Sequence, residues 1–494
     1  MKKQFKYITA ILGLLFTIGC SEDFLTKQPL DTINSSNYPK TADELVTVVN
    51  GAYQPLQWPK LYNLRMWTTD IMAGNSIVGA GGGTDGIETQ NMSNFVTQPN
   101  NAGVLDLWRG PWPGILMTNI VLETAPNLEI DENIKNRSMG EAYFLRAHYY
   151  FLLARFFGDV PLITEPLSSD DELFLPRDPV NEIYDLILSD LTNAVQLLPA
   201  KSSYSQENIG RASKGAAYGL LTKFHLTLGN YQEAIDMATE LETLGYDLNP
   251  NYQDNFNPDN ENSQESIFEV QYASNGGYDF WGNENQASWA SPFMGPRGAN
   301  FVGGGFGWNQ PTQEFVDQYE VGDLRKDVTV FYDGCPDYDG KQYQSSYSYT
   351  GYNVRKFLVP ISLVPAYDNS PLNFPILRYA DVLLMRAEAL NELDDTSSAE
   401  IYLNKVRNRA GLPDIQTGLS KVDFRDAVLK ERRIELAFEG QRWFDLIRVN
   451  NGQYGLDFLQ SIGKTNASTK HLLFPVPQIE IDRNPKLKPN NFGY

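Results

Sequence analysis

The 494-residue chain has two cysteines and three histidines, too few for a disulfide framework or a histidine-rich metal site. HExxH, CxxC and GxSxG are all missing, so zinc-protease and serine-hydrolase readings have no motif to rest on. Basic residues are also short, at 40 against 61 acidic ones, for a net charge of −21. A field of that sign repels phosphate backbones and argues against nucleic acid as a partner. Gly463-Lys464-Thr465 has the end of a phosphate-binding loop, but Phe458 stands where its first glycine belongs. Gly81-x-Gly83-x-x-Gly86 matches the dinucleotide fingerprint literally. With no strand legible before it and no long helix after it, it reads as a flexible loop. Asp337-Tyr338-Asp339-Gly340 lacks the further ligands of a calcium loop and reads as a solvated turn. No catalytic residue, metal ligand or cofactor is therefore assigned. A glycosidase carboxylate pair stays open as a lesser reading, because such pairs come from distant segments.

What the chain does have is helix pairs. In Lys214 to Tyr246, Tyr218, Leu221 and Leu228 recur at helical spacing, and Gly229 supplies a left-handed stop. Asn230 followed by Glu233 predicts a capping-box start for a second helix, with Ala234, Ala238 and Leu241 on one face. Leu228-Gly229-Asn230-Tyr231 running to Ala234 resembles a tetratricopeptide (TPR) unit. Further pairs fall at Glu141–Phe157 with Asn181–Leu198, and at Leu377–Leu393 with Ser397–Ala410. The period is irregular, which predicts a mostly α, TPR-like scaffold with large loop-rich insertions carrying minor β. The scaffold is expected mainly in 104–125, 139–158, 181–246 and 377–450. Residues 56–101 and 249–375 are the loop-rich regions where function is expected to sit. Trp108, Trp112 and Trp443 read as core. Arg432, Arg433, Glu435, Glu439, Arg442, Asp445 and Arg448 read as paired charges that fix helices against one another.

Residues 1–19 form a leader, with Lys2, Lys3 and Lys6 ahead of an apolar run from Tyr7 to Gly19. The run is too short to span a bilayer and reads as a secretory signal. It ends in Thr17-Ile18-Gly19-Cys20, a lipobox-like site at which Cys20 is lipidated and becomes the first mature residue. An ordinary cleaved signal peptide is the plainer alternative. Residues 20–494 are expected to form one domain.

Ordered blocks along the mature chain resemble the SusD/RagB family of outer-membrane nutrient-binding lipoproteins. They are Asp23-Phe24-Leu25 after Cys20, Gly140 to His148 with Phe157 to Leu162, and Pro311-Thr312 with Asp323-Leu324-Arg325. Leu377 to Asp381 leads into Arg386-Ala387-Glu388. Glu431 to Gly440 with Arg442-Trp443-Phe444-Asp445 is the most specific block, and Phe474-Pro475-Val476-Pro477 with Asn484-Pro485 completes the series. The resemblance implies a non-catalytic lipoprotein on the exterior of the outer membrane. There it would capture an oligosaccharide, or in the RagB branch a peptide, as the lid of a SusC-like TonB-dependent transporter barrel. A TPR adaptor that binds only protein is the reading from another class.

Sugars present flat C–H faces that stack on aromatic rings, and hydroxyls that need Asp, Asn, Gln or Arg in the same patch. Family sites draw on the early loop region and the middle insertion. The expected ligand-binding residues are accordingly Trp67, Asp70, Asn75 and Asp85 in the first, and Trp281, Asn283, Trp289 and Phe293 in the second. Trp308, beside Pro311, fits either core or site.

Overall fold

The computed structural model describes residues 38–167, 174–274 and 286–494. Cys20, Trp281 and Asn283 lie outside the described residues. The frame is helical. Its first helices are α1 (Ala42–Tyr53), α2 (Ala102–Arg109), α3 (Trp112–Thr124) and α4 (Glu132–Phe157). Next come α5 (Val180–Leu197), α6 (Lys214–Leu228) and α7 (Tyr231–Glu242). The C-terminal set is α8 (Tyr379–Glu392), α9 (Thr396–Arg409), α10 (Lys421–Glu435) and α11 (Arg442–Arg448). Helices α4 and α5, α6 and α7, and α8 and α9 pack as neighbouring pairs, and α7 leans on α8.

Several boundaries differ from the sequence reading, each for a local reason. Gly110 and Pro111 break the expected stretch 104–125 into α2 and α3, since proline cannot continue a helix. Asp131 caps α4 through hydrogen bonds from the N–H groups of Asn133 and Ile134, so that helix starts well before Glu141. Leu377 and Arg378 belong to a strand rather than to α8. The capping box at Asn230 does not form. Its N–H donates to His225 O at 2.9 Å, so Asn230 is held by the end of α6, where Gly229 sits at φ 77°.

Strands are few and paired across long stretches of sequence. β1 (Ser76–Gly79) pairs antiparallel with β3 (Trp308–Pro311), joining the early loop region to the middle insertion. β2 (Ser266–Val270) pairs with β6 (Phe374–Arg378), closing the base of that insertion. β4 (Val330–Phe331) pairs with β5 (Asn353–Val354). A four-residue strand thus does precede the Gly81 loop, and the helical turn Ile87–Ser93 follows it. The antiparallel partner of β1 rules out the parallel βαβ unit that a dinucleotide site requires.

One apolar core runs from Ala52 on α1 to Leu487 near the C-terminus and includes every helix pair. His148 is buried within it, its Nε2 2.9 Å from the Tyr62 hydroxyl, and burial lowers its pKa to about 3. Ionic seams bind the insertion to this frame. Arg378 on β6 donates to Glu439 at 2.7 and 3.0 Å and to Glu435 at 3.0 Å. Arg325 reaches the same Glu435 at 3.0 Å, and Arg409 also pairs with it. Lys223 on α6 and Arg432 on α10 share Asp381 on α8, at 2.8 and 2.7 Å. Asp445 bridges Arg432 and Arg448. These side chains are nearly all buried, so each charge depends on its partners to offset desolvation.

Candidate functional site

Where β1 and β3 bring the two loop regions together, a cavity of about 490 Å³ opens between an aromatic wall and a charged wall. The aromatic wall is built from the helical turn Ala290–Met294 and from β3. Trp289 stacks on Phe293 with centroids 5.2 Å apart and planes 5° from parallel. Phe293 then meets Phe306 at 5.3 Å and Trp308 at 5.6 Å, both edge-on. Four rings therefore border one cavity at fixed angles. Their support is local. The Trp289 N–H donates to Asn63 Oδ1 at 2.6 Å, and Asn63 Nδ2 donates to the Ala287 carbonyl at 3.0 Å. One asparagine of the early loop thereby clasps the backbone that presents Trp289.

Arg65 organises the facing wall. Its Nε donates to Asp106 Oδ2 at 2.9 Å, and one terminal nitrogen donates to Glu88 Oε1 at 2.9 Å. Among the described residues no hydrogen bond engages Glu88 Oε2 or Asp106 Oδ1, so each carboxylate keeps an acceptor oxygen. Lys60 and Arg297 add donors, and Asp85 sits at the rim, accepting from the Gly81 N–H at 3.0 Å. Ring faces opposite charged acceptors and donors suit a ligand that is apolar on its faces and hydroxylated at its edges.

The structure brings together Asp85, Trp289 and Phe293 of the expected residues. Three others are corrected. Trp67, as buried as Trp289, stands behind the wall, edge-on to Phe293 at 6.1 Å and to Trp308 at 6.5 Å, and unlike Trp289 it does not line the cavity. Asp70 is buried and accepts from the N–H groups of Phe438 and Gly440 at 3.2 and 2.9 Å. Phe438 and Gly440 both have left-handed backbones, and this tight turn after α10 leaves donors that a buried carboxylate must satisfy. Burial raises the Asp70 pKa to about 6, against the hydrogen bonds from Asn75 and that turn. Asn75 donates to Asp70 at 2.8 Å and accepts from Arg433 at 2.8 Å, which commits it to the scaffold. Sequence reasoning passed over Arg65, Glu88, Asp106 and Phe306. Each comes from a different segment, so no spacing links them. The turn-rich setting of Trp308 beside the Pro311-Thr312 block was the one usable signal.

Comparisons with known proteins agree with this architecture. Residues 23–226 match a family model described as "Starch-binding associating with outer membrane", and residues 264–494 match one described as "SusD family". A SusD-like protein of Formosa agariphila is 30% identical over 518 residues, covering 100% of both chains. A solved laminarin-binding SusD-like protein is 28% identical, with a TM-score of 0.78 over 92% of this chain and 100% of its own. Surface glycan-binding protein A of Bacteroides thetaiotaomicron, solved with laminarihexaose, is 26% identical, with a TM-score of 0.77 over 92% of this chain and 100% of its own. Full-length identity, matched halves and a shared helical frame converge: the chain belongs to the SusD family.

Proposed function

We propose that the chain is a lipid-anchored surface protein that binds a glycan in the cavity between Trp289, Phe293 and Trp308 and the Arg65–Glu88–Asp106 wall. The single observation that carries this is the pairing of an aromatic wall with two carboxylates that each keep, among the described residues, an oxygen without a hydrogen bond. The glycan-binding relatives named above support the ligand class. An uncharged chain also meets less repulsion from an acidic protein than a polyanion would. Binding without cleavage is the expected mode. Glu88 and Asp106 both accept from Arg65, which commits each carboxylate to holding that guanidinium. Delivery to a SusC-like TonB-dependent barrel, and anchoring in the outer membrane through acylated Cys20, complete the proposal on the strength of the family.

Affinity electrophoresis of residues 21–494 in gels of laminarin, amylopectin, xylan or mannan tests the ligand class. Retardation by one polymer is expected, with Trp289→Ala and Trp308→Ala each abolishing it. Undiminished retardation of both variants would overturn the site. Release of reducing ends from the same polymers would contradict the non-catalytic mode. Co-purification of a barrel without affinity for any sugar would favour a protein-binding adaptor.

A further inference from the structure

The Gly79–Gly86 loop faces two ways. One flank contributes Asp85 and Gly86 to the aromatic cavity. The other contributes Gly79, Gly82 and Gly83 to a second cavity of about 330 Å³, which Ile77, Tyr349 and Lys464 also line. The strip between them has the thickness of a bare backbone. A Cβ on Gly81 would lie 3.4 Å from the Arg297 guanidinium on the first side, and one on Gly82 would lie 2.6 Å from the Tyr349 hydroxyl on the second. A Cβ on Gly83 would meet nothing within 4 Å, so the crest of the strip is open.

Tyr349 is 68% exposed, yet it is held at both ends. Its N–H donates to Gln310 Oε1 at 2.9 Å, and its hydroxyl donates to the Gly81 carbonyl at 3.1 Å. An exposed ring ordinarily loses conformational freedom when a ligand stacks on it, and here that freedom is already restricted. Ile77, 38% exposed, adds apolar surface to the same cavity. Lys464 is the one charged side chain lining it among the described residues. Its ammonium donates to Ser93 O at 2.9 Å and Ser93 Oγ at 2.6 Å. Burial lowers its pKa to about 8, with no carboxylate among the causes.

We infer that the second cavity continues the first, as a subsite for the distal sugars of a chain long enough to cross the Gly81–Gly83 strip, with Tyr349 as its stacking platform. The inference rests on the reading of the first cavity as a glycan site. It assigns Tyr349 the setting of chain-length preference, and Lys464 makes the subsite suited to neutral or acidic sugars and poorly suited to cationic ones.

The test is calorimetric titration of residues 21–494 with an oligosaccharide series cut from whichever of laminarin, amylopectin, xylan or mannan retards the protein. The wild type is expected to gain affinity with length beyond the oligomer that fills the first cavity. Tyr349→Ala should leave short oligomers within about twofold and lose about three- to tenfold on long ones, the scale of one aromatic contact. Tyr349→Phe, which keeps the ring, should retain most of that gain, and Trp289→Ala should fail at every length. Because Tyr349 is a surface residue, an unchanged melting temperature is expected for both of its variants. An equal loss at all lengths, or no loss at any, would overturn the subsite while leaving the first cavity intact. Wild-type binding by Trp289→Ala, or no binding of any polymer by the wild type, would remove the parent reading and the subsite with it.

Discussion

Glu435 is fully buried and pairs with Arg325, Arg378 and Arg409. Burial alone would push its carboxyl up, but Arg409, Arg378 and Arg325 together hold it well below the usual carboxylate range. Asp445 is likewise held down against burial by Arg432 and Arg448. With folded pKa values depressed, their stabilisation is present above the unfolded carboxylate pKa of about 4 and is lost as pH falls below it. Between neutrality and that point other groups offset one another. Burial raises Asp70 to about 6 and Glu261 to about 7, so their ionisation penalty fades as pH falls. Burial lowers His148 to about 3 and His471 to about 4, so below about 6.5 proton uptake by the unfolded histidines opposes that gain. The denaturation midpoint should therefore be nearly flat from neutrality to about pH 4.5 and fall steeply below about pH 4. Glu435→Gln should cost about 3–5 kcal/mol at neutral pH and flatten the acid limb, as read by denaturant titration at several pH values. The same scale shows where sequence reading stops. Trp67 is buried against Phe293 and Trp308, Asp70 against the left-handed turn at Phe438–Gly440, and Asn75 against Arg433, all far along the chain, and no local pattern announces them. Trp67→Ala should accordingly cost about 3–5 kcal/mol of stability, measured by the same titration, before it costs binding.

The helices were largely legible, since apolar spacing, Gly229 and the prolines act within a turn or two of where they stand. Their ends were less so. Asn230 has the right residue type and position for a cap, but the termination of α6 fixes its backbone first. Asn230→Ala should change stability by less than about 0.5 kcal/mol, in contrast to the typical loss of ~1 kcal/mol at a working cap. Gly114 on α3 makes the opposite case. Alanine there should favour an isolated helix by about 1 kcal/mol. Yet a Cβ at Gly114 would lie 2.1 Å from the Tyr149 ring on α4, and that ring is pinned by its hydroxyl to the Ala52 carbonyl. The clash should win, and Gly114→Ala should lower the melting temperature through a net loss of about 1–3 kcal/mol. Strand β6 escaped detection because Phe374–Arg378 is buried throughout and runs directly into α8, so no alternation marks it.

At the scale of the whole molecule a main core joins the helix pairs, beside a smaller cluster between α1, α3 and α4, and the last residues take part in the main one. Val476 is fully buried, and the Asn491 amide donates to the carbonyls of Phe157 and Phe474 at 2.8 and 2.6 Å. The tail from His471 is thus no loose strap: it includes the helical turn Gln478–Arg483 and seals the end of α4. Calorimetry should show one cooperative transition, and deleting residues 471–494 should shift that whole transition downward without splitting it. The cavity could not be read at this scale from the chain alone. Its walls come from residues 59–65, 85–106 and 289–308, and the β1–β3 pairing, the Asn63 clasp and the Arg65 ion pairs together make them neighbours. The clamp of arginines and glutamates at the base of the insertion carries one more implication. With the base of the insertion clamped to the frame by Arg378 and Glu435, the cavity-lining side chains that lie outside the core, such as Lys60, Asp85 and Arg297, can change without disturbing that clamp. Exchanging those lining residues for the ones found in a relative of different sugar preference should change what the protein captures while leaving its melting behaviour where it was.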